Sequence, residues 1–235
     1  MTRAVLFDLG NTLVRYYEAH EFPGVLRKCL TACRVALAWP ADPERDRQLL
    51  ERALSFNRER SDFAVCPLDE RLRGIYGAHV VLDEDGLRRL TAAFLEPIFA
   101  EARLEPNAAG VLRSLRDHSI KTAIVSNTPW GSPADAWRDE LKRHGLLEAV
   151  DAAVFCVDVG WRKPHRAPFD HALSLLNVRP HEALFVGDDH RWDVIGAQNA
   201  GIRPVLLARD VSHSPDHLTI QSLVEVVSIA IDGEG

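Results

Sequence analysis

Four short apolar runs in the sequence each lead into a polar side chain suited to catalysis. The runs lie at residues 4–7, 123–125, 154–157 and 183–186. The side chains that follow them are a carboxylate, a hydroxyl, an amine and a second carboxylate: Asp8, Ser126, Lys163 and Asp188. A short apolar run bounded by turn residues is typical of a buried strand. Because open α/β sheets bind ligands beyond the carboxyl ends of their strands, we expect these side chains to converge at one edge.

The order and wording of these segments resemble the haloacid dehalogenase-like (HAD) hydrolase superfamily. Its first motif is a strand followed by Asp-x-Asp-x-Thr, and residues 8–12 read Asp-Leu-Gly-Asn-Thr. The second is a Ser or Thr at a strand end, here Ser126, and the third is a Lys, here Lys163 within Arg-Lys-Pro. The fourth, Gly-Asp-x-x-x-x-Asp-x-x-Gly-Ala, matches residues 187–197. The fourth motif is specific, and four motifs in this order make a chance match improbable.

The elements needed to position these residues indicate an α/β fold. Predicted strands alternate with helices, which implies a doubly wound parallel sheet of the Rossmann-like HAD type. The core is assigned to residues 1–15 and 103–235, and its tail is predicted to add a short extended piece and a last helix. The predicted strands lie near 3–8, 121–126, 152–157, 183–187 and 204–207. The predicted helices lie near 107–117, 133–144, 166–176 and 192–200.

Residues 16–102 are predicted to form a smaller, all-helical cap domain. A helix is expected to start at Asp42-Pro43, and apolar residues repeat at helical spacing from Leu87 to Ile98. Pro97 is expected to kink or end that second helix. The position of this insertion, between the first and second motifs, resembles the helical cap of the dehalogenase–phosphatase branch. A helical elaboration with no part in substrate choice is the alternative.

The resemblance implies a phosphatase in which Asp8 is the nucleophile and forms an aspartyl-phosphate. Such a covalent intermediate divides one difficult displacement into two easier ones. Lys163 is expected to neutralise Asp8 and the phosphate, and Ser126 to donate a hydrogen bond to a phosphoryl oxygen. Asn127 and Thr12 are assigned to substrate binding.

A magnesium ion is the implied cofactor, because a carboxylate and a phosphate repel unless a cation lies between them. Mg²⁺ suits an all-oxygen site and keeps several waters. The expected ligands are Asp8, Asp188, the backbone carbonyl of Gly10, and Asp193 directly or through water. Asp188, Asp189 and Asp193 also crowd one short segment, which favours a bound cation. Asp189 is expected to cap the helix that follows or to support the ligands.

Gly10 departs from the family pattern, because an Asp usually stands at this position. That Asp protonates the leaving group and then activates water, whereas Gly10 retains only the backbone carbonyl. General acid–base catalysis is typically worth ~10²–10⁴-fold. The enzyme is therefore expected to be slow or limited to good leaving groups, unless it catalyses a different reaction or another residue supplies the proton. The candidates for that residue are Tyr16, Glu18, His20 and His190.

Three other functions are left open by the sequence. A 2-haloacid dehalogenase-type C–X hydrolase needs no proton for its leaving halide, but such relatives need no metal and have a less acidic fourth motif. A catalytically weak, phospho-ligand-binding member is the second alternative. Phosphonate-cleaving relatives use a cap lysine, and the only lysine of the predicted cap, Lys28, lies uncomfortably close to the first motif.

Composition limits the partners. The chain has 235 residues, 46% hydrophobic content and a net charge of −6, which is typical of a soluble globular protein and argues against nucleic-acid or membrane-surface binding. A small phosphorylated molecule is the expected partner, and the chain is expected to be a monomer or homodimer.

Neither a signal-peptide pattern nor a membrane-length apolar run is present, so a cytoplasmic location is expected. The cysteines are expected to be buried, reduced thiols.

Overall fold

The central sheet contains the strands that carry the predicted motifs. The structure, a computed structural model, describes residues 1–57, 60–208 and 217–232. In chain order the strands of these residues are β1 Ala4–Phe7, β2 Val14–Arg15, β3 Arg103–Leu104, β4 Lys121–Ser126, β5 Ala152–Phe155, β6 Ala183–Gly187, β7 Arg203–Leu207 and β8 Leu218–Ile220. Six of them form a parallel sheet in the order β5-β4-β1-β6-β7-β8. The predicted α/β fold with a parallel sheet is confirmed.

The helices fall into two groups along the chain. Those between β2 and β3 are α1 Phe22–Ala36, α2 Pro43–Phe56, α3 Leu68–Tyr76 and α4 Glu84–Ala100. Those that alternate with the strands of the sheet are α5 Ala108–Asp117, α6 Ala134–Arg143, α7 Cys156–Val159, α8 Ala167–Leu176, α9 Ile195–Asn199 and α10 Glu225–Asp232. Among the described residues, no helix has both the length and the apolar character needed to cross a membrane.

Helices cover both faces of the sheet, which explains why its central strands are apolar throughout. All residues of β1 and β6 are buried, as expected for parallel strands covered on two sides. On one face, Val5 and Phe7 share a core with Leu112 of α5. On the other, Leu6 packs in a core with Phe169 of α8. The alternating directions of β1 side chains therefore join two layers of helices, which is the doubly wound arrangement.

Two of the helices between β2 and β3, α2 and α4, test the sequence predictions about where helices begin and end. Asp42 caps α2, since its Oδ1 accepts hydrogen bonds from the backbone of Glu44 and Arg45 at 3.1 Å, so the predicted helix start is confirmed. Of the two effects expected of Pro97, a kink or an end of the helix, the second does not occur, because α4 continues to Ala100. Pro97 and Ile98 are both buried, and this burial offsets the single backbone hydrogen bond that a proline removes.

Two other element boundaries differ from the sequence prediction. The strand predicted to reach residue 157 ends at Phe155, and Cys156 begins the short helix α7. Helix α6 begins after Pro133, one residue later than predicted, and the Ser132 hydroxyl accepts a hydrogen bond from Trp137 Nε1 at 2.8 Å. Both changes occur beside the carboxyl edge of the sheet, where the chain turns around polar side chains.

Besides side-chain contacts, the helical insertion is joined to the sheet domain by backbone pairing at two places. At the first, Val14 and Arg15 pair antiparallel with Leu104 and Arg103. Strands β2 and β3 therefore lie side by side where the chain leaves the sheet domain and where it returns to it. At the second, which we call the cap bridge, residues 63–65 pair with residues 160–162. There Val65 N donates to Gly160 O at 2.9 Å and Arg162 N donates to Phe63 O at 2.8 Å. We propose that residues 16–102 are a cap domain held over the sheet edge by both attachments.

Candidate active site at the carboxyl edge of the sheet

A cleft of about 290 Å³ opens at the carboxyl edge of the sheet. It contains all the predicted site residues except Thr12. The residues that line it are Asp8, Leu9, Gly10, Asn11, Tyr16, Tyr17, Ser126, Asn127, Pro129, Trp137, Arg162, Lys163, Asp188, Asp189, Trp192 and Asp193. Its volume lies at the lower end of the range for small-molecule sites, which favours a small ligand.

Strand register brings the first, second and fourth motifs together. Phe7 of β1 lies opposite Ile124 of β4 and Val186 of β6. Asp8 follows directly, and its backbone N–H donates to Val186 O at 2.9 Å. Asp8 is therefore held beside the ends of both neighbouring strands, where Ser126 and Gly187 lie. The convergence expected from parallel strands is present.

Lys163 joins two carboxylates at the base of the cleft. Its Nζ lies 2.6 Å from Asp8 Oδ1 and 2.6 Å from Asp193 Oδ1. The lysine side chain is only 2% exposed, so both ion pairs are shielded from water. Burial alone would lower the pKa of Lys163, but the charges of Asp193 and Asp8 raise it above the ordinary value. The amine is consequently a fixed positive charge beside Asp8.

Three carboxylates meet at the same point and form a candidate metal centre. One oxygen each of Asp8, Asp188 and Asp193 lies within 4.8 Å of the others. Burial, followed by the charges of Asp8 and Asp193, raises the pKa of Asp188. Burial also raises the pKa of Asp193, although Lys163 opposes that shift. Crowded buried carboxylates resist ionisation unless a cation compensates them, so this all-oxygen donor set fits Mg²⁺.

Gly187 and Asp189 position the fourth-motif carboxylates. A Cβ on Gly187 would lie 2.2 Å from Asp193 Oδ2, so any larger residue would displace Asp193. The backbone N–H of Asp189 donates to Asp193 Oδ2 at 3.1 Å. Asp189 Oδ1 in turn accepts from Trp192 N at 2.9 Å and caps the π-helical turn His190–Val194. The capping role expected for Asp189 is confirmed.

Asn127 lines the cleft, but its amide group is already engaged. Its Oδ1 accepts a hydrogen bond from Lys163 N at 2.8 Å, and its Nδ2 donates to Lys163 O at 3.1 Å. The side chain therefore holds the backbone of the third motif beside the second. We propose that Asn127 positions Lys163, in place of the direct substrate contact expected from the sequence.

Thr12 lies outside the cleft, contrary to its assignment as a substrate-binding residue. It is fully buried, and its hydroxyl donates to Asp188 Oδ1 at 3.3 Å. The sequence placed Thr12 in the correct motif but gave no information about the direction of its side chain. We propose that Thr12 orients Asp188.

Tyr16 is the one residue of the four proposed proton donors that lines this cleft. Glu18 lines a separate cavity near the start of α1, and His190 is exposed and absent from the cleft lining, as is His20. Burial and the nearby charges of Glu140 and Asp8 raise the pKa of Tyr16, so its hydroxyl stays protonated. That hydroxyl is buried without a hydrogen-bond partner among the described residues. Tyr16 can therefore donate a hydrogen bond but is a poor proton-transfer group.

Several residues of the cleft were missed by the sequence analysis. Trp137 comes from α6, Trp192 from the turn after β6, and Tyr17 from the segment before α1. Arg162 belongs to the third motif, but the sequence analysis assigned it no function. Aromatic residues in helices and turns usually belong to the hydrophobic core. The spacing of Trp137, Trp192 and Tyr17 in the sequence therefore gave no reason to assign them to a binding site. Lys28, in contrast, is absent from the cleft lining and pairs with Glu101 at 2.7 Å on the surface.

The fold is a parallel α/β sheet with a cluster of carboxylates at its carboxyl edge, and comparison with known proteins identifies its family. A family model described as haloacid dehalogenase-like hydrolase matches residues 2–201. The chain belongs to this family and is a hydrolase.

Curated relatives include two archaeal enzymes named glyceraldehyde 3-phosphate phosphatase. The protein of Methanothermobacter thermautotrophicus is 26% identical over 219 residues, which cover 93% of this chain and 91% of the relative. That of Pyrococcus furiosus is 32% identical over 207 residues, covering 86% and 79%. Among solved structures, a HAD phosphatase from Thermococcus onnurineus aligns with a TM-score of 0.66 and 26% identity over 97% of both chains. A 2-haloacid dehalogenase from Pseudomonas syringae shares the fold, with a TM-score of 0.69 and 23% identity over 100% of both.

Proposed function

We propose that the protein is a Mg²⁺-dependent phosphatase that hydrolyses small phosphorylated metabolites through an aspartyl-phosphate at Asp8. The observation that carries this proposal is the cluster of Asp8, Asp188 and Asp193 joined by the buried ammonium group of Lys163. Three carboxylates within 4.8 Å of one another suit a bound cation, which the sequence resemblance implies for a phosphatase but not for a dehalogenase. The phosphatase relatives support the same choice.

The reaction consists of two displacements at phosphorus. A carboxylate oxygen of Asp8 attacks the phosphorus atom, and the bond to the leaving-group oxygen breaks with its electron pair remaining on that oxygen. Water then attacks the acyl phosphate, which releases inorganic phosphate and restores Asp8. Lys163 holds the attacking carboxylate in place and compensates the charge of the phosphoryl group, and Ser126 donates a hydrogen bond to one of its oxygens.

The metal site would use carboxylate oxygens of Asp8 and Asp188, the carbonyl oxygen of Gly10, and Asp193. Asp193 already accepts hydrogen bonds at both oxygens, from Lys163 and from Asp189 N, so we propose that it acts through water. When bound, Mg²⁺ neutralises phosphoryl oxygens and orients the displacement. Thr12 and Asp189 hold the ligands Asp188 and Asp193 in position.

The primary test is phosphate release from acetyl phosphate and p-nitrophenyl phosphate in the presence of Mg²⁺. Both substrates have good leaving groups, so the missing acid at Gly10 costs least with them. Glyceraldehyde 3-phosphate is included because two relatives are named for it. Activity that disappears with EDTA supports the proposal. Absence of phosphate release, together with chloride release from 2-chloropropionate, would replace it with the dehalogenase function.

Gly10→Asp is expected to raise the turnover of alkyl phosphates by about 10–100-fold, because it supplies the missing general acid and base. The site has room for a β-carbon at this position, since a Cβ on Gly10 would meet only Asp8 Oδ2, at 4.0 Å. The measurement is kcat for glycerol 1-phosphate and for p-nitrophenyl phosphate. The gain should be smaller for the aryl ester, whose leaving group needs little protonation.

Gly10→Asn is the matched control, because asparagine has the size of aspartate and cannot transfer the proton. An equal gain from both substitutions would attribute the effect to shape. No gain from Gly10→Asp, with Mg²⁺ binding retained, would show that another group already protonates the leaving oxygen.

A further inference from the structure

Arg162 is a cation of the cleft that none of the roles described above uses. The amine of Lys163 is occupied by two carboxylates, Asp8 and Asp193. Arg162 instead forms no ion pair with a carboxylate of the described residues, and its Nε is buried without a hydrogen-bond acceptor there. An arginine held in this state at a substrate cleft is suited to bind an anion from the substrate.

The backbone of Arg162 is fixed on both sides. Its own N–H donates to Phe63 O of the cap bridge at 2.8 Å, and the next N–H, of Lys163, donates to Asn127 Oδ1 at 2.8 Å. The guanidinium carbon lies 5.9 Å from the ring centre of Trp192, which also lines the cleft. A side chain with its backbone fixed and its planar group beside an aromatic ring loses little entropy when it binds a ligand.

Arg162 lines the cleft and its backbone is bonded to Phe63 of the cap bridge, whereas the side chain of Lys163 contacts Asp8. Tyr17 lines the same cleft, and the charge of Arg162 opposes part of the rise in the pKa of Tyr17 that burial causes. Tyr17 belongs to the segment that leads into the cap. A substrate whose phosphoryl group contacts Asp8 would therefore extend its other end toward Arg162.

We propose that Arg162 binds a second anionic group of the substrate, so that the preferred substrates are phosphorylated compounds with a carboxylate or a second phosphate at the opposite end. This inference rests on the proposed phosphatase function and deepens it. A preference of this kind would distinguish this protein from a phosphatase whose preferred substrate ends in a neutral aldehyde. The cleft volume of about 290 Å³ restricts such a substrate to a short carbon skeleton.

The test compares substrates that differ only in the distal group. 3-Phosphoglycerate and glyceraldehyde 3-phosphate share three carbons and the position of the phosphate, but end in a carboxylate and an aldehyde. 1,3-Propanediol bisphosphate and propyl phosphate give the same comparison for a second phosphate. In at least one of the two pairs, we expect kcat/KM to be at least about tenfold higher for the anionic substrate than for its neutral counterpart. The pair that shows this preference identifies whether Arg162 binds a carboxylate or a phosphate.

Arg162→Met should reduce that ratio to nearly one, mainly through KM for the anionic member, and Arg162→Lys should retain part of it. Equal kcat/KM values within both pairs in the unaltered protein would overturn the proposal. An equal loss on the neutral and anionic members in Arg162→Met would also overturn it, because Arg162 would then act on the transferred phosphoryl group.

Failure of the underlying phosphatase function gives a different result. Acetyl phosphate turnover does not depend on a second anion, so its absence would contradict the phosphatase function alone. Binding of 3-phosphoglycerate and glyceraldehyde 3-phosphate to Asp8→Asn, measured by calorimetry, then tests Arg162 without turnover. Tighter binding of 3-phosphoglycerate that is lost in Asp8→Asn/Arg162→Met supports the proposal, and equal binding overturns it.

Discussion

Asp8→Asn is expected to lower kcat for acetyl phosphate and p-nitrophenyl phosphate by at least about 10⁴-fold, as removal of a nucleophile does in other hydrolases. Asparagine has the shape of aspartate but is too weak a nucleophile to form the acyl phosphate. Lys163 keeps its second partner, Asp193, at 2.6 Å, so the fold is expected to survive. The measurement is phosphate release, combined with mass spectrometry of acid-quenched protein to detect a phosphorylated peptide containing residue 8.

The control for this substitution is Asp117→Asn, which changes an exposed carboxylate at the end of α5. It should leave both kcat and the phosphorylated peptide unchanged. Asp8→Ala is added because the asparagine introduced in the first variant can deamidate and restore aspartate, whereas alanine cannot. Turnover within tenfold of the unaltered protein in Asp8→Ala, with the same fold, would remove Asp8 from the chemistry.

Lys163→Met is expected to destabilise the metal-free protein by about 3–5 kcal/mol, because it leaves buried carboxylates without their compensating charge. The Lys163 side chain is 2% exposed, and Asp193 is 3% exposed. Methionine has nearly the length of lysine, so the loss arises from charge. The free energy of unfolding in urea with EDTA measures it, and Mg²⁺ should restore part of the loss because a cation returns to the carboxylates.

Two further variants separate charge from packing. The double variant Lys163→Met/Asp193→Asn removes one of the uncompensated carboxylates and should therefore be more stable than Lys163→Met alone. A double-mutant cycle measures the interaction free energy between the two side chains. Lys142→Met removes a surface lysine that is 55% exposed and paired with Asp139, and should change stability by less than about 0.5 kcal/mol. A loss below about 1 kcal/mol in Lys163→Met would contradict the charge argument, since a buried pair that loses one partner costs more than that.

The positions of the main site residues could be predicted from the sequence because strand ends determine them. Asp8, Ser126 and Asp188 follow apolar strands, and parallel strands bring their carboxyl ends to one edge. Lys163 needed the third motif as well, since it lies in a loop beyond β5. These predictions depended on the order of elements along the chain, which the sequence shows directly.

The roles of Thr12 and Asn127 depended on side-chain direction, which the sequence does not show. The Thr12 hydroxyl contacts Asp188, and the Asn127 amide contacts the backbone of Lys163, a residue far away in the chain. Arg162 and Trp192 were missed for a related reason. Their places in the cleft depend on the cap bridge and on the turn capped by Asp189, and both are tertiary contacts.

The cap bridge also restricts how the cap and the sheet domain can move relative to each other. The β2–β3 pair is the first attachment, and the bridge between residues 63–65 and 160–162 is the second. Side-chain contacts such as the stacking of Phe94 on Trp130, with ring centres 5.2 Å apart, restrict the cap further. Because the bridge ends one residue before Lys163, a displacement of residues 63–65 would be transmitted through the backbone to the residue that neutralises Asp8.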